Sequence, residues 1–108
     1  MIKDNHISVA GSITKAVQAI RPNIPSTIKI EVETTTMDEV KEALSAGADI
    51  IMLDNMDNTT MAEAVKLIDG KAKVEASGNM NLQRLREVAA TGVDFISIGA
   101  LTHSVIAL

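Results

Sequence analysis

Ala46-Gly47-Ala48-Asp49-Ile50-Ile51-Met52-Leu53-Asp54 returns later in the chain as Thr91-Gly92-Val93-Asp94-Phe95-Ile96-Ser97-Ile98-Gly99. Each copy follows an amphipathic helical stripe, with the glycine at the point where a left-handed residue closes a helix at little steric cost. Each then runs into a short apolar stretch of strand length rather than helix length. The repeated unit is helix, glycine cap, strand. Before the first copy the helical stripe is Met37, Val40 and Leu44; before the second it is Leu82, Leu85, Val88 and Ala89. Between the copies, Met61, Ala64, Val65 and Ile68 mark another helix ending near Gly70, and Lys73 to Ala76 reads as a strand. Upstream, Thr27-Ile28-Lys29-Ile30-Glu31-Val32-Glu33 alternates strictly, which puts Ile28, Ile30 and Val32 on one face and Lys29, Glu31 and Glu33 on the other. Ser12 to Arg21 carries Ile13, Ala16, Val17 and Ile20 at helical spacing until Pro22 and Pro25 forbid continuation.

Strands alternating with helices across short connections call for an α/β fold with parallel strands, because a crossover helix is what returns the chain for a parallel neighbour. The strands read from the sequence cover Thr27–Glu33, Asp49–Leu53, Lys73–Ala76 and Phe95–Ile98, about half of an eight-stranded β/α barrel. A small open sheet is the competing architecture. Polarity separates the two: Glu31 and Glu33, then Glu75 and Ser77, place polar groups on one face of their strands, whereas an open doubly wound sheet is apolar on both. A partial parallel β/α barrel with a ligand-lined interior fits better. No linker or low-complexity tract divides the 108 residues, so residues 1–108 are expected to form one body.

Phe95 is the single aromatic residue, so the core has to be built from Ile, Val, Leu, Met and Ala, with Met37, Met52 and Met61 as filler. Recognition of single-stranded nucleic acid by base stacking is disfavoured for the same reason. A net charge of −4 argues against a polyanion-binding surface, and no nucleic acid is expected as a partner. Without cysteine there is neither a disulfide framework nor a thiolate metal site, which is compatible with a cytoplasmic location. The N-terminus lacks an apolar signal core and no stretch approaches the roughly 20 apolar residues of a membrane span, so no membrane association is expected.

In barrels and open parallel sheets alike, ligands sit at the C-terminal ends of the strands. Here those ends carry Glu33, Asp54-Asn55, Ser77-Gly78-Asn79 and Gly99-Ala100. Carboxylates from neighbouring strand ends can hold a hard cation such as Mg²⁺ or accept bonds from sugar hydroxyls, although solvated loop-edge charges would look the same. Ser77-Gly78 and Gly99-Ala100 allow backbone N–H groups to approach a phosphate, with helix N-termini expected behind them. Any strand-to-helix turn would also favour glycine. Lys3 and His6 precede the first helix, and His103 faces the same site or lies on a terminal helix; spacing alone does not choose.

Taken together, Met1-Ile2-Lys3-Asp4-Asn5-His6, Ile30-Glu31-Val32-Glu33, Ile51-Met52-Leu53-Asp54-Asn55, Glu75-Ala76-Ser77-Gly78 and Gly99-Ala100-Leu101-Thr102-His103-Ser104 resemble the quinolinate phosphoribosyltransferases. The resemblance covers essentially the whole chain in order. It implies an enzyme family of NAD biosynthesis that joins quinolinate to phosphoribosyl pyrophosphate, giving nicotinate mononucleotide, pyrophosphate and carbon dioxide. It further implies that Lys3, Glu33 and Asp54 are catalytic, that Glu33 and Asp54 hold Mg²⁺, and that Ser77, Gly78, Asn79, Gly99, Ala100 and His103 bind substrate phosphate. Asn79 departs from the pattern, standing where many members have a second glycine. The chain would then be the C-terminal part of the catalytic barrel, without the N-terminal α+β domain and the earlier strands whose arginines and histidine clamp quinolinate. Arg21, Arg84 and Arg86 do not match those positions. The chain alone is therefore expected to lack turnover, and to associate with itself or with a missing N-terminal half through its unpaired strand edges. Two other readings stay open: another sugar-phosphate barrel enzyme, and a non-catalytic half-barrel that binds phosphate compounds.

Overall fold

The computed structural model describes residues 2–4, 12–78, 81–98 and 104–107. Among these residues the chain forms one six-stranded sheet whose spatial order is its sequence order. The strands are β1 (Ile2–Asp4), β2 (Ile30–Thr34), β3 (Ile50–Asp54), β4 (Lys73–Gly78), β5 (Phe95–Ile98) and β6 (Ser104–Ala107). Helices α1 (Ser12–Ile20), α2 (Met37–Ala46), α3 (Asn58–Ile68) and α4 (Leu82–Ala89) fill the crossovers between the first five. Those five pair in parallel, and β6 returns antiparallel along β5.

An order without reversal leaves no topological switch point, the feature that defines an open doubly wound sheet. Successive crossovers of one hand then put every helix on the same face, as in a barrel wall. The packing agrees. Ile30, Val32, Ile51, Leu53, Val74, Ala76 and Ile96 form one buried cluster with Ile13 and Val17 of α1, Val40 and Ala43 of α2, Met61, Ala64 and Ile68 of α3, and Val88 of α4. Burial of each large aliphatic side chain there contributes about 1.5–3 kcal/mol. Phe95 takes no part in this core, which is aliphatic as expected. Met61 is core filler and Met37 packs against the core, whereas Met52 is buried on the opposite face of the sheet.

The N-terminal ends of the strands are held by the repeated Asp. Asp49 accepts a hydrogen bond from the Ile30 N–H at 2.9 Å while its own N–H donates back to the Ile30 carbonyl. Asp94 treats Val74 the same way, at 2.9 and 2.8 Å. In both copies the preceding glycine is left-handed, with φ of 85° at Gly47 and 97° at Gly92. Arg21 adds a bond to Asp49 at 2.8 Å and one to the Gly47 carbonyl at 2.7 Å, tying the end of α1 to the same corner. Burial alone would raise the Asp49 carboxyl; the Ile30 N–H, the Arg21 hydrogen bond and the nearby Arg21 and Lys29 charges outweigh it and hold it below its ordinary value.

Several boundaries differ from the sequence reading: β1 was not read as a strand, β3 is Ile50–Asp54 rather than Asp49–Leu53, and β4 runs on past Ala76 to Gly78. Strand β2 starts at Ile30 rather than Thr27, because the Ile28 N–H closes a turn on the Pro25 carbonyl. After β5 the next described element is β6, which pairs Ser104 to Ala107 with Ile98 to Phe95. Pairing satisfies the outer backbone groups of β5. The helix N-terminus expected behind Gly99-Ala100 lies outside the described residues.

Candidate active site

Alternation along each strand assigns one face to the helices and leaves the other to the barrel interior. On that interior face the register builds cross-strand rows. Lys3, Glu31, Ile50 and Lys73 align in the first row. Glu33, Met52, Glu75 and Phe95 make the second, and Asp54, Ser77 and Ser97 make the third, at the C-terminal ends. The polar residues that the sequence singled out on separate strands thus share one surface. Glu31 and Glu75 are almost wholly buried on it, at 3% and 7% exposure. Glu33, Asp54 and Ser77 are half-buried.

Asp54 and Ser77 are direct register partners, so the carboxylate-bearing end of β3 and the Ser77-Gly78 end of β4 lie side by side. Just beyond them the Asn55 N–H donates to the Ser77 carbonyl at 2.9 Å. Asn55 itself is left-handed, with φ of 57°, a conformation Asn tolerates better than other residues with a side chain. Gly78 has φ of 154°, which residues with a Cβ seldom adopt, and a Cβ there would come to 3.8 Å from the Asn55 side chain. The ends of β3 and β4 are thereby tied together, with Asp54 beside Ser77. Asp54 makes no side-chain hydrogen bond to another described residue, whereas Asp57 three residues later is committed to capping α3 through the Thr60 N–H at 2.8 Å. Bonds from the Thr60 side chain and backbone, helped by the Arg84 charge, hold the Asp57 carboxyl below its ordinary value.

The helices that begin at this end carry their own caps: Thr36 accepts from the Glu39 N–H, Asp57 from Thr60 and Asn81 from Arg84. Ser77 and Gly78, expected to form a turn, are instead the last two residues of β4, paired with Ser97 and Ile98; α4 begins at Leu82. Lys3 lies in β1 opposite Glu31, with its side chain outside the described atoms. His6, Asn79, Gly99, Ala100 and His103 fall outside the described residues. Ser97 was not singled out by the sequence reading, yet it completes the third row; its alternation with Phe95 was the available signal. Arg21 is engaged at the opposite end of the sheet, and Arg84 is engaged with the loop after β3.

Residues 1–108 match the family described as "Quinolinate phosphoribosyl transferase, C-terminal domain". The chain belongs to this family. A probable nicotinate-nucleotide pyrophosphorylase (carboxylating) of Synechocystis is 56% identical over 103 residues, covering 93% of this chain and 35% of that protein. The Bacillus subtilis protein of the same name is 46% identical over 105 residues, covering 97% of this chain and 36% of its own. The crystal structure of nicotinate-nucleotide pyrophosphorylase from Ehrlichia chaffeensis superposes with a TM-score of 0.83 at 43% identity, covering 98% of this chain and 38% of that one. The chain thus spans about a third of the length of the curated relatives it matches, and its fold is that part of a quinolinate phosphoribosyltransferase barrel. Among the described residues no helix is long and apolar enough to cross a membrane.

Proposed function

We propose that the C-terminal strand ends of this sheet form the phosphoribosyl pyrophosphate part of a quinolinate phosphoribosyltransferase site, in a protein that makes nicotinate mononucleotide for NAD synthesis. The observation that carries this reading is the row Asp54–Ser77–Ser97 beside Gly78 at the end of β4, which sets a half-buried carboxylate next to a backbone without a side chain that can approach a phosphate. In the proposed site Ser77 and Gly78, joined by Asn79, Gly99, Ala100 and His103, hold the 5′-phosphate. Departure of pyrophosphate develops positive charge at the anomeric carbon of the ribose, and Glu33 and Asp54 stabilise it from the interior face. Lys3, on the strand at the far edge of that face, is assigned to the junction with the quinolinate pocket.

Mg²⁺ would be held by Glu33 and Asp54, which lie on the same face in successive rows. Among the described residues no group of three or more His, Asp or Glu side chains could hold a metal ion. A two-carboxylate donor set fits a cation that keeps part of its hydration and completes its shell with substrate phosphates. Bound there, it would supply charge neutralisation for the leaving pyrophosphate.

Quinolinate is a dianion and calls for guanidinium forks. The described arginines do not offer them on the interior face: Arg21 serves the opposite end, Arg84 a loop, and Arg86 is exposed on α4. The proposal therefore assigns the quinolinate clamp to chain outside this sheet, brought in by association. The sheet ends in β1 and β6, which supports association through strand edges, with a second copy or with the remainder of a longer chain.

Calorimetric titration with phosphoribosyl pyrophosphate, with and without Mg²⁺, tests the site, and an assay for nicotinate mononucleotide beside it tests turnover. The expected result is Mg²⁺-dependent binding without product from the 108-residue chain alone. No binding in either condition would remove the proposed site.

A further inference from the structure

Arg84 reaches from α4 to the loop that follows Asp54, more than twenty-five residues away in sequence. Its Nη2 donates to the Met56 carbonyl and its Nη1 to the Asn58 side-chain oxygen. One turn further along α4, Glu87 accepts from the other end of the same Asn58 amide at 3.1 Å. Residues three apart share a helix face, so α4 presents a donor fork and an acceptor that together grip both ends of one amide.

The gripped loop leads straight to the site. Met56 is anchored by burial at 5% exposure, and Asp57 is spent on capping α3. Asn55 donates to the Ser77 carbonyl and packs over Gly78. Helix α4 itself begins four residues after Gly78. The contacts therefore close a ring: from Ser77-Gly78 into α4, through Arg84 to the loop at residues 56–58, and through Asn55 back to Ser77. Asp54 precedes Asn55 directly, so the backbone that carries its carboxylate is tied to Ser77 by the Asn55 bond and to α4 through Met56 and Asn58.

We propose that Arg84 is a positioning residue of the site, which fixes Asp54 relative to the Ser77-Gly78 end of β4 so that one ligand can engage both. The inference rests on the reading of those strand ends as a phosphoribosyl pyrophosphate site. A purely structural role for Arg84 would be to hold α3 against α4, yet Met61, Ala64, Ile68 and Val88 already bury those helices in the core. One guanidinium bond reaches Asn58 at the start of α3; the other, to the Met56 carbonyl, is what the core does not supply, order in the loop between Asp54 and α3. Small misplacements of a ligand-binding group are costly because the geometry has to suit both ends of the ligand at once.

The test uses the 108-residue chain with Arg84→Ala and Arg84→Lys, read by amide hydrogen exchange and by calorimetry with two probes, phosphoribosyl pyrophosphate with Mg²⁺ and inorganic phosphate. In Arg84→Ala the Asn55 amide should exchange about tenfold faster, the scale of one charge-assisted hydrogen bond, while the Ile51 and Ile96 amides keep their protection. Affinity for phosphoribosyl pyrophosphate with Mg²⁺ should fall about tenfold and affinity for inorganic phosphate less than about twofold, since phosphate needs only the end of β4. Lys can satisfy one acceptor but not the fork, so Arg84→Lys should recover part of the loss. Should Arg84→Ala fail to fold, Asn58→Ala removes one acceptor from the other side and should give the same pattern more weakly. Unchanged exchange at Asn55, unchanged affinity for phosphoribosyl pyrophosphate, or equal losses for both probes would each overturn the positioning role. A parent chain that binds neither probe would instead overturn the reading of the site.

Discussion

Asp49 and Asp54 flank the same strand at opposite ends, and the protein uses them in opposite ways. Asp49 is consumed: it takes the Ile30 N–H and the Arg21 guanidinium, and its backbone bonds to both neighbouring strands. Asp54 has no such engagement among the described residues and lies beside Ser77 at the mouth of the interior face. The internal repeat draws the same line. Asp49 has its counterpart in Asp94, which makes the equivalent bonds to Val74, whereas the position of Asp54 is taken by Gly99. The end that repeats is the end that holds the sheet together, and the end that diverges is where a ligand would be met, in keeping with the division of labour in β/α barrels.

The comparison is most exposed to Asp49→Ala beside Asp54→Ala. The first strands the Ile30 N–H and Arg21 and should cost about 2–3 kcal/mol in urea unfolding, while the second should stay within about 0.5 kcal/mol. Equal losses would erase the distinction between the two ends. The reverse experiment is ligand binding: Asp54→Asn should weaken Mg²⁺-dependent affinity for phosphoribosyl pyrophosphate by about tenfold, roughly 1.4 kcal/mol, with an unchanged unfolding midpoint. In an intact relative or a complemented complex the same change should lower turnover far more than it alters folding. Gly78→Ala tests the end of β4, where a Cβ at φ of 154° should cost about 1 kcal/mol of stability and displace the backbone that approaches phosphate.

The smallest expected effect is one of pH. The Asp49 carboxyl lies below 3.8 when folded, so its contribution is complete above that value and is lost as pH falls through the folded value. The stability gap between the parent chain and Asp49→Asn should therefore be constant near neutrality and narrow as pH drops below about 4. A gap that widens on acidification would contradict the hydrogen-bonding assigned to Asp49.

What was legible in the sequence follows from range. Alternation at Ile30 to Glu33 and helical spacing before Gly47 and Gly92 are local signals, and they gave the strand faces, the helices and the partial barrel. The family was legible because its motifs lie on strand ends, and Asp54 and Ser77 do meet there. β1 and β6 were missed because three and four residues carry too little periodicity to be read. The late start of β2 depends on a turn at Pro25 that competes with an otherwise perfect alternation. Ser97 becomes a site neighbour only through register, and the role of Arg84 only through a contact between α4 and the loop after β3. Both are tertiary facts.

The central claim, that ligand is met at the C-terminal strand ends and not elsewhere on the sheet, is tested most directly by an NMR titration of the backbone amides with phosphoribosyl pyrophosphate and Mg²⁺. The account predicts saturable shifts at Asn55, Ser77 and Gly78, with the Ile30, Asp49, Val74 and Asp94 amides at the other end unmoved. Saturable shifts confined to that other end, or no saturable shifts at Asn55, Ser77 and Gly78, would contradict it.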